Sequence, residues 1–575
     1  MISNLMSSES DLLVVGGGVA GLQAALEASI RGLDVTLLVK GGGAASTWIL
    51  GFNAGLERTP SGDTPAKFFD DTMAGGCHLN NERLAAVLAY ESSTEVHRLE
   101  QLGLDFRLDD GSYPVRLAAG SRFPRTVYFE DRTGPRIISF LLSQLQARKV
   151  DIRHGITAVR LIKSAGRVVG ALAIDREEGQ LAVFYARATV LATGGAGNLY
   201  SFTSNPQGIT GDGYALSLRA GAELIDLEFV QFEPFIMAHP PDARGFGVPT
   251  TLVADGARIH DVHGREFLPT EPDGRIKSLT KDVFSRALFE QIRDGRGTEH
   301  GGVYFDVTRL PAAKLEGYPR FLARCRASGI DVKENPLEVA PAHHHMMGGV
   351  QIDKDCRTSL PGLFAAGEVT GGVHGANRLA GNAATDVLVF GQRAGRFASA
   401  YALTQDRGAP ASSDLRENCD QVLSLVSPHA NDSQAVEDVL VRLQQVMWEK
   451  VGIERDGAWL AEAMQEIQSL AFKLDTLRAS EVRSLPALTE TGNALLVAAM
   501  VAASAEIRKE SRGDHYRTDY PFRDDLHWLG NILIQMDGNQ LKLLFCPKGS
   551  SAGECEVKRL DILRNPHSST PGPRD

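Results

Sequence analysis

The residues best suited to chemistry lie in one glycine-rich stretch from His343 to Gly395, which reads HHHMMGGVQIDKDCRTSLPGLFAAGEVTGGVHGANRLAGNAATDVLVFGQRAG. His344, Glu368 and Arg378 stand there among closely spaced glycines, and charged residues in such a run are hard to explain as hydrophobic core. Glycine lets the backbone approach a ligand closely, while imidazole and guanidinium groups supply donors for an anion. The stretch therefore predicts a site that holds a carboxylate substrate against a bound cofactor ring.

A nucleotide-binding pattern stands near the start of the chain. It consists of a predicted strand at 11–15, the motif GGGVAG, a predicted helix and a second strand at 33–39. In such a βαβ unit the glycines permit a tight turn, and the helix N-terminus binds a pyrophosphate. The alternative is an ordinary glycine-rich turn in an α/β domain. Lys40 stands where an acidic residue usually holds a ribose, which disfavours a simple NAD site.

Length and composition describe a globular protein of two to four domains, with 575 residues, 43% hydrophobic and 23% charged. The net charge of -11 does not predict the positively charged surface that nucleic-acid binding requires. The sequence contains no apolar run near the roughly 20 residues of a membrane span, and its first residues do not resemble a signal peptide. Six scattered cysteines without a CxxC pair predict neither a metal site nor an iron-sulfur cluster, and indicate free thiols in a reducing cytoplasm.

Seven segments in order resemble the flavoprotein subunit family of succinate dehydrogenase and fumarate reductase, which also contains L-aspartate oxidase. Besides the stretch at 343–395, they are RTVYFEDRTG (125–134), TVLATGGAGNLY (189–200), TGDGYALSLRAGAEL (210–224), EFVQFEP (228–234), SLTKDVFSRAL (278–288) and KESRGDHYRTDYP (509–521). The resemblance covers nearly the whole chain, so chance is a poor explanation for it.

The resemblance implies an α/β fold with a Rossmann-like FAD-binding domain in two parts, residues 1–240 and 344–405. An α+β capping domain is expected as an insertion at 241–343. After a linker near Pro410, the i, i+3, i+4 spacing of apolar residues predicts a C-terminal helical domain at 410–535. Beyond Asp525, HWLGNILIQMD (527–537) and QLKLLFCP (540–547) predict short strands. A C-terminal extension at 536–575 ends in a tail rich in Ser and Pro.

FAD is the cofactor that the family implies, and the absence of His from the Ser46–Trp48 segment, where the family has its Ser-His-Thr attachment sequence, predicts noncovalent binding. Gly16, Gly18 and Gly21 are expected at the pyrophosphate and Glu368 at the ribityl hydroxyls. Asp212 is expected to hydrogen-bond the cofactor; for both acids the alternative is a cap or a turn. The further cofactor contacts predicted are Ala20, Lys40, Ser46, Thr47, Gly194, Asn382, Ala383 and Ala384.

The substrate site departs from the family pattern at two positions. His344 and Arg378 match the residues that grip one carboxylate, with His374 beside them. Glu233 replaces the His of the family's QFHPT sequence, and would repel a second carboxylate unless it turns away to pair with an Arg. Lys281 replaces the Arg that shuttles the proton, and is predicted to act as a base in an oxidation unless it is a solvated surface residue.

These residues predict an FAD-dependent oxidoreductase that removes two hydrogens across a C–C or C–N bond of a carboxylate whose second group is an amine or neutral. Lys281, Arg378, His344 and Glu233 are the predicted catalytic residues. One alternative is the flavoprotein subunit of a fumarate reductase- or succinate dehydrogenase-like complex with an iron-sulfur partner. Another is a flavin-binding protein that has lost catalysis.

Overall fold

The structure, a computed structural model, describes residues 5–56, 62–108, 111–272, 276–277, 279–406, 408, 412–538, 540–549 and 556–560. The predicted linker residue Pro410 and the Ser- and Pro-rich tail after Leu560 lie outside these residues. The strands are β1 (Met6–Val15), β2 (Val35–Val39), β3 (Phe52–Asn53), β4 (Val115–Arg116), β5 (Thr126–Val127), β6 (Asp151–His154), β7 (Ile156–Ser164), β8 (Arg167–Asp175), β9 (Gln180–Leu191), β10 (Leu224–Ile225), β11 (Val230–His239), β12 (Arg258–His260), β13 (Val303–Asp306), β14 (Leu337–Met346), β15 (Gly349–Gln351), β16 (Leu363–Ala365), β17 (Thr370–Gly371), β18 (Gly530–Asp537), β19 (Gln540–Pro547) and β20 (Glu556–Leu560).

The helices are α1 (Val19–Ile30), α2 (Pro65–Gly75), α3 (Glu82–Gln101), α4 (Thr133–Ala147), α5 (Asp212–Ala220), α6 (Thr251–Ala254), α7 (Lys281–Gln291), α8 (Ala312–Glu316), α9 (Pro319–Ala327), α10 (Asn382–Ala402), α11 (Ser412–Leu423), α12 (Ser433–Lys450), α13 (Gly457–Thr476), α14 (Leu485–Ile507) and α15 (Asp525–Trp528).

A seven-stranded sheet forms the base of the FAD-binding domain, in the order β6-β2-β1-β9-β8-β7 with β16 beside β9. β1 runs parallel to β2 and β9, and β16 runs parallel to β9. The end of β1, Leu12–Val15, is apolar on both faces and buried, as parallel strands covered on both sides are. Because β16 follows the cap insertion, the chain returns to the same sheet after the cap.

The second part of the FAD-binding domain is fixed to the first by the contact of α10 with α1. A Cβ on Gly391 would lie 2.7 Å from the Ala20 carbonyl oxygen, and one on Gly395 would lie 2.5 Å from that of Ala24. Only glycine therefore allows these two backbones to approach so closely. This packing sets the N-terminal half of α1 against the middle of α10.

The cap is built on a four-stranded antiparallel sheet, in the order β11-β14-β13-β12, with α6 to α9 around it. Phe235, Phe284 and Phe305 are buried in its own hydrophobic core. The predicted limits of the cap, 241 and 343, cut through this sheet, because β11 begins at Val230 and β14 ends at Met346. Both strands therefore connect the cap with the FAD-binding domain.

The C-terminal region begins with α11 to α14 and ends in a β-hairpin. β18, β19 and β20 join β10, β15 and β17 of the FAD-binding domain in a six-stranded sheet, so the segment predicted as helical up to residue 535 already contains a strand from Gly530. One described helix, Val482–Ile507, has the length and apolar character of a membrane span, but 78% of its most apolar window is buried inside the protein. The predicted fold class, an α/β FAD-binding domain with an inserted cap and a helical C-terminal region, is confirmed.

Candidate active site

A cavity of about 600 Å³ lies between the FAD-binding domain and the cap. Its walls bring together eight of the predicted site residues, namely Ser46, Glu233, Lys281, His344, Glu368, Arg378, Ala383 and Ala384. These residues come from segments more than 300 positions apart in the chain. The fold therefore assembles one site from the segment around Ser46, from Glu233 and Lys281, and from the glycine-rich stretch at 343–395.

Arg378 is a buried cation of this cavity. It is 4% exposed, and its Nε and Nη2 atoms have no hydrogen-bond partner among the described residues. The remaining contact is a long hydrogen bond of 3.4 Å from Nη1 to the Leu379 carbonyl oxygen. A buried charge without a partner is costly, so this guanidinium fits a site that an anionic ligand completes. Its two free nitrogens suit a carboxylate.

Glu233 and Lys281 form a buried ion pair. The Lys281 ammonium donates to Glu233 Oε2, and the Thr250 hydroxyl donates to Glu233 Oε1 at 3.0 Å. Burial would raise the pKa of Glu233, but the neighbouring Lys281 and His344 bring it down to about 2. Burial lowers the pKa of Lys281, and Glu233 offsets only part of this effect. The lowered pKa of Glu233 favours its carboxylate form, whereas the lowered pKa of Lys281 favours its neutral amine. The direct contact between the two groups favours the ammonium–carboxylate form.

His344 is held beside this pair by a residue that the sequence patterns do not indicate. Its Nδ1 lies 2.8 Å from the Ser204 hydroxyl, and its Nε2 lies 3.6 Å from Glu233 Oε2. Burial, together with the charge of Lys281, lowers the pKa of His344 well below its usual range. The imidazole is therefore neutral, and it serves as a hydrogen-bonding group rather than as a second cation.

His374 does not line the cavity, contrary to its prediction as a substrate-binding residue. Its Nε2 lies 3.0 Å from Asp386 Oδ2, and its ring meets that of His345 edge-on at 5.5 Å between centroids. Both His374 and Asp386 are buried. Asp386 fixes the orientation of the His374 ring, and His374 packs against His345, which lines the cavity.

The N-terminus of α1 carries the geometry expected for a pyrophosphate. Gly18 stands at the N-cap without a capping side chain, and Ala20 lies in the first turn. Ser46 Oγ accepts a hydrogen bond of 3.2 Å from the Val19 amide. A Cβ on Gly21 would lie 1.9 Å from the Gly16 carbonyl oxygen, so the turn requires glycine there. The helix dipole and open backbone favour a phosphate group at this end.

The N-terminus of α10 opens onto the cavity through Ala383 and Ala384. Its N-cap Gly381 has a left-handed backbone with φ of 89° and no side-chain cap. Asn382, predicted to contact the cofactor, instead uses its side chain within the protein: its Oδ1 accepts from Asn53 at 2.7 Å and its Nδ2 donates to Thr72 at 3.2 Å. The backbone at this helix end, rather than the Asn382 side chain, is left to face the cofactor.

Lys40 and Asp212, predicted separately as cofactor contacts, form a pair with each other. Lys40 Nζ lies 2.6 Å from Asp212 Oδ2 and 3.5 Å from Glu490 of α14. Asp212 also accepts from Asn493 at 2.9 Å. The pair thus connects the FAD-binding domain with the helical region, and neither residue lines the cavity. Gly194 has φ of 81° and no atom near its missing Cβ, which leaves open space at that turn.

Two contact groups that sequence reasoning missed position the site. Asp131, from the RTVYFEDRTG segment, accepts at 2.8 Å from the Phe321 amide in the first turn of α9, while Arg320 donates at 2.8 Å to the Thr47 carbonyl oxygen. A carboxylate at a helix N-terminus is stabilising, so Asp131 docks the cap on the FAD-binding domain. The motif indicated that this segment mattered, but its partner lies 190 residues away.

Gln231 links the active-site loop to the C-terminal region. Its side-chain nitrogen lies 2.9 Å from Asn377 Oδ1, 3.1 Å from the Arg378 carbonyl oxygen and 3.0 Å from Asp514 Oδ2. Burial, with the nearby Asp282, raises the pKa of Asp514 well above its usual range. Gln231 and Asp514 lay in segments noted for their resemblance, but their contact could not be read from sequence spacing.

The chain is similar to known flavoproteins along nearly its whole length. The FAD binding domain family matches residues 11–384, and the fumarate reductase flavoprotein C-terminal family matches residues 441–551. One subunit of the CoM/CoB fumarate reductase of Methanothermobacter marburgensis is 38% identical over 92% of this chain and 97% of its own length. L-aspartate oxidase of Streptomyces coelicolor is 33% identical over 92% of each chain.

Among solved structures, a chain of E. coli quinol fumarate reductase superposes with a TM-score of 0.87 at 29% identity, covering 95% of this chain and 98% of its own. The superposition includes the cap and the helical region, since it spans almost all of both chains. The shared arrangement therefore extends beyond the nucleotide-binding fold.

Glu368 is expected to couple FAD binding to pH. Burial raises its pKa to about 7, although the Met346 amide, at 3.1 Å, and Arg378 favour the charged form. If ribityl hydroxyls donate to the carboxylate, FAD selects the ionised form, so its affinity should rise by up to about tenfold per pH unit below pH 7 and level off above it. Titration of apoprotein with FAD between pH 5.5 and 8.5 measures this dependence.

The Glu368→Gln variant should bind FAD with little change over the same pH range. Glu95→Gln provides the control, because Glu95 is another buried glutamate whose pKa is raised by burial, but it pairs with Arg98 away from the cavity. A pH dependence retained in Glu368→Gln would show that another group is responsible.

Proposed function

The chain belongs to the family of FAD-dependent oxidoreductases that includes fumarate reductase flavoprotein subunits and L-aspartate oxidases, and from this premise we propose that its substrate is a carboxylate other than succinate or fumarate. The predicted family and the FAD cofactor are confirmed. FAD, when bound, exchanges a hydride with the substrate. The reaction class is oxidation or reduction at a CH–CH or CH–NH group.

The observation that supports this proposal most strongly is the unpartnered guanidinium of Arg378 in the cavity wall. A carboxylate that accepts from Nε and Nη2 would satisfy both free donors and neutralise the buried charge. His344 lies on the other side of Glu233 and would orient the same substrate by hydrogen bonding. Such a two-point grip would fix the reacting carbon relative to the cofactor ring.

Lys281 is the proposed proton carrier. In the direction of reduction its ammonium donates a proton to the substrate carbon, and in the direction of oxidation its amine accepts one. Burial lowers the pKa of Lys281 and so makes the ammonium a better acid than a solvated lysine. Glu233, in contact with Lys281 Nζ, would stabilise the ammonium form of Lys281 and so favour its return to that form after proton transfer.

The FAD is proposed to bind without a covalent bond through Gly16, Gly18, Ala20 and Gly21, with the ring near Ser46, Ala383 and Ala384. Lys40, Thr47, Gly194, Asp212 and Asn382 are retained as outer contacts whose backbone or ion pairs shape the site. Denaturation of the yellow protein with acid should leave the colour in the supernatant. Colour that stays in the precipitated protein would contradict noncovalent binding.

A second candidate is the flavoprotein subunit of a complex with an iron-sulfur partner. It is favoured by the 97% coverage of a relative named as one subunit of a fumarate reductase. Purification at native expression levels distinguishes the two: a stoichiometric brown iron-sulfur protein supports the complex, whereas a lone protein that forms peroxide with its substrate supports an oxidase. The five described cysteines form no disulfide bond with one another, which is consistent with a proposed cytoplasmic location that cell fractionation would test.

The Arg378→Ala variant should lose substrate binding and keep FAD. Removing a buried, bidentate carboxylate partner costs roughly 2 to 5 kcal/mol, so kcat/KM should fall by at least about thirtyfold. Arg378→Lys keeps the positive charge but lacks the two parallel donors of a guanidinium, so its kcat/KM should lie between those of Arg378→Ala and the parent enzyme. Steady-state kinetics and flavin content measure both effects, and near-normal activity in Arg378→Ala would exclude Arg378 from the clamp.

The Lys281→Met variant should slow substrate-dependent flavin reduction by at least about a hundredfold, the low end of general acid–base contributions. Because this change leaves Glu233 buried without its partner, the double variant Glu233→Gln with Lys281→Met is the matched control. Rapid-mixing measurements should show slow flavin reduction in both variants. Recovery of the rate in the double variant would mean that Lys281 only neutralises Glu233.

The pH dependence of the parent enzyme gives an independent measurement of the same role. Since burial lowers the pKa of Lys281 from 10.5, substrate oxidation should speed up and substrate reduction slow down as pH rises through that lowered value. Both slopes should disappear in Lys281→Met. Identical slopes in the two directions would contradict proton transfer by Lys281.

A further inference from the structure

We propose that the substrate is a monocarboxylate whose far end is apolar, held by Arg378 at one end and by the cap's hydrophobic wall at the other. This inference rests on the proposed function and narrows its substrate class. It excludes the dicarboxylates named for the relatives and also a substrate whose charged amine lies beside Lys281. Three features support it: the charges in the cavity, the chemistry of its cap wall, and the remaining charged groups.

The charges around the cavity leave room for one anion. Lys281 is committed to Glu233 Oε2, and the other carboxylate oxygen of Glu233 accepts from Thr250 at 3.0 Å. His344 is neutral and already bonded to Ser204 at 2.8 Å. Arg378 therefore remains as the positive charge without a partner. A second carboxylate would have to break the Glu233–Lys281 pair and would leave Glu233 buried alone, which is strongly unfavourable.

The same pairing argues against an amine at the far end of the substrate. A cationic group would need a free carboxylate, but both oxygens of Glu233 already accept hydrogen bonds from within the cap. Bringing an ammonium next to Lys281 would also place two like charges in a buried space. The paired residues thus act as one neutral polar unit rather than as a receptor for either charge.

One part of the cap side of the cavity is apolar. Its lining includes Ile236, Phe246, Val248, Leu279 and Phe284, contributed by β11, the loop after it, and the start of α7. Phe284 lies three residues after Lys281 and therefore on the same side of α7. Ile236, Val248 and Phe284 are at most 3% exposed. An alkyl or aryl group would fill this space, whereas a charged group would lose its hydration without gaining a partner.

The other charged residues of the cavity do not change this balance. Asp131 accepts from the Phe321 amide at 2.8 Å, Arg320 donates to the Thr47 carbonyl oxygen at 2.8 Å, and Arg116 donates to the Leu50 carbonyl oxygen at 2.7 Å. Glu271 and Lys277 are exposed. Arg116 and Arg320 are half-buried, and Asp131 is buried with its Oδ1 unpartnered, so within the described residues Arg378 differs from the other cations in being a buried charge with two unpartnered donors.

The test is a binding series on the FAD-loaded protein, read as the change in flavin absorption, with straight-chain monocarboxylates of four to eight carbons and with succinate. Affinity should rise about fourfold for each added methylene until the cavity is filled. Butanoate should bind more tightly than succinate, which has the same number of carbons. Succinate binding more tightly than butanoate, or an affinity independent of chain length, would overturn the proposal.

Two variants test the charge balance and the apolar wall separately. Glu233→Gln frees the Lys281 ammonium, so succinate should tighten by about tenfold or more while butanoate changes little. Val248→Thr keeps the shape of the wall but adds a hydroxyl, and should flatten the dependence on chain length. Glu466→Gln, which removes the same charge from a surface ion pair with Arg442, is the control and should change neither. Unchanged succinate affinity in Glu233→Gln would contradict the proposed charge balance.

The outcome also separates this inference from the proposed function. If succinate binds best and Arg378→Ala still abolishes its binding, the carboxylate clamp stands and the monocarboxylate proposal fails. If Arg378→Ala weakens monocarboxylates and succinate equally and the chain-length dependence is retained, both stand. If no carboxylate perturbs the flavin, both fail.

Discussion

The site depends on one electrostatic constraint, a buried guanidinium with two of its three nitrogens unpartnered among the described residues. Arg378 is 4% exposed, yet the neighbouring carboxylates are already engaged elsewhere: Glu233 with Lys281, Asp386 with His374, and Asp514 with Gln231. Each pairing removes a competitor for the arginine. Keeping such a charge buried costs free energy that binding of an anion would relieve, and for this reason we propose the cavity as a carboxylate site.

Three parts of the fold together hold Arg378 beside the cofactor site and away from water. The FAD-binding domain supplies the N-termini of α1 and α10, and Gly391 and Gly395 let the middle of α10 pack closely against α1. The cap closes the cavity and is itself docked through Asp131, which accepts from the Phe321 amide of α9. The C-terminal region reaches the same place through Asp514 and Gln231. Three parts of the chain thus converge on the loop that carries Arg378.

The Glu233–Lys281 pair is the feature that distinguishes this chain chemically. Considered alone, Glu233 is a negative charge that repels dicarboxylates, and Lys281 is a base. In contact they become a neutral unit that holds one exchangeable proton, with Thr250 satisfying the remaining carboxylate oxygen. Burial and ion pairing act in opposite senses on the pKa of Lys281. The balance between them, rather than the identity of either residue, sets how readily the proton moves.

The sequence by itself determined the fold class, the cofactor and the family, because motif order and the βαβ pattern are properties of the local chain. It also identified Arg378, His344, Glu233 and Lys281, whose types and neighbours match a known site. It placed β18 and β19 correctly as strands, but their residues were divided between a helical domain and an extension, because the sheet partners β10 and β15 are distant in sequence.

Only the tertiary structure decided which side chains meet. Spacing along the chain could not show that Glu233 faces Lys281, 48 residues away, or that Ser204 holds His344, 140 residues away. It could not show that His374 and the Asn382 side chain point away from the cavity, or that Lys40 and Asp212 pair with each other. Charge balance in a buried site is a property of contacts made in three dimensions. For that reason the sequence named the chemical groups, and the fold decided which of them remains free to bind.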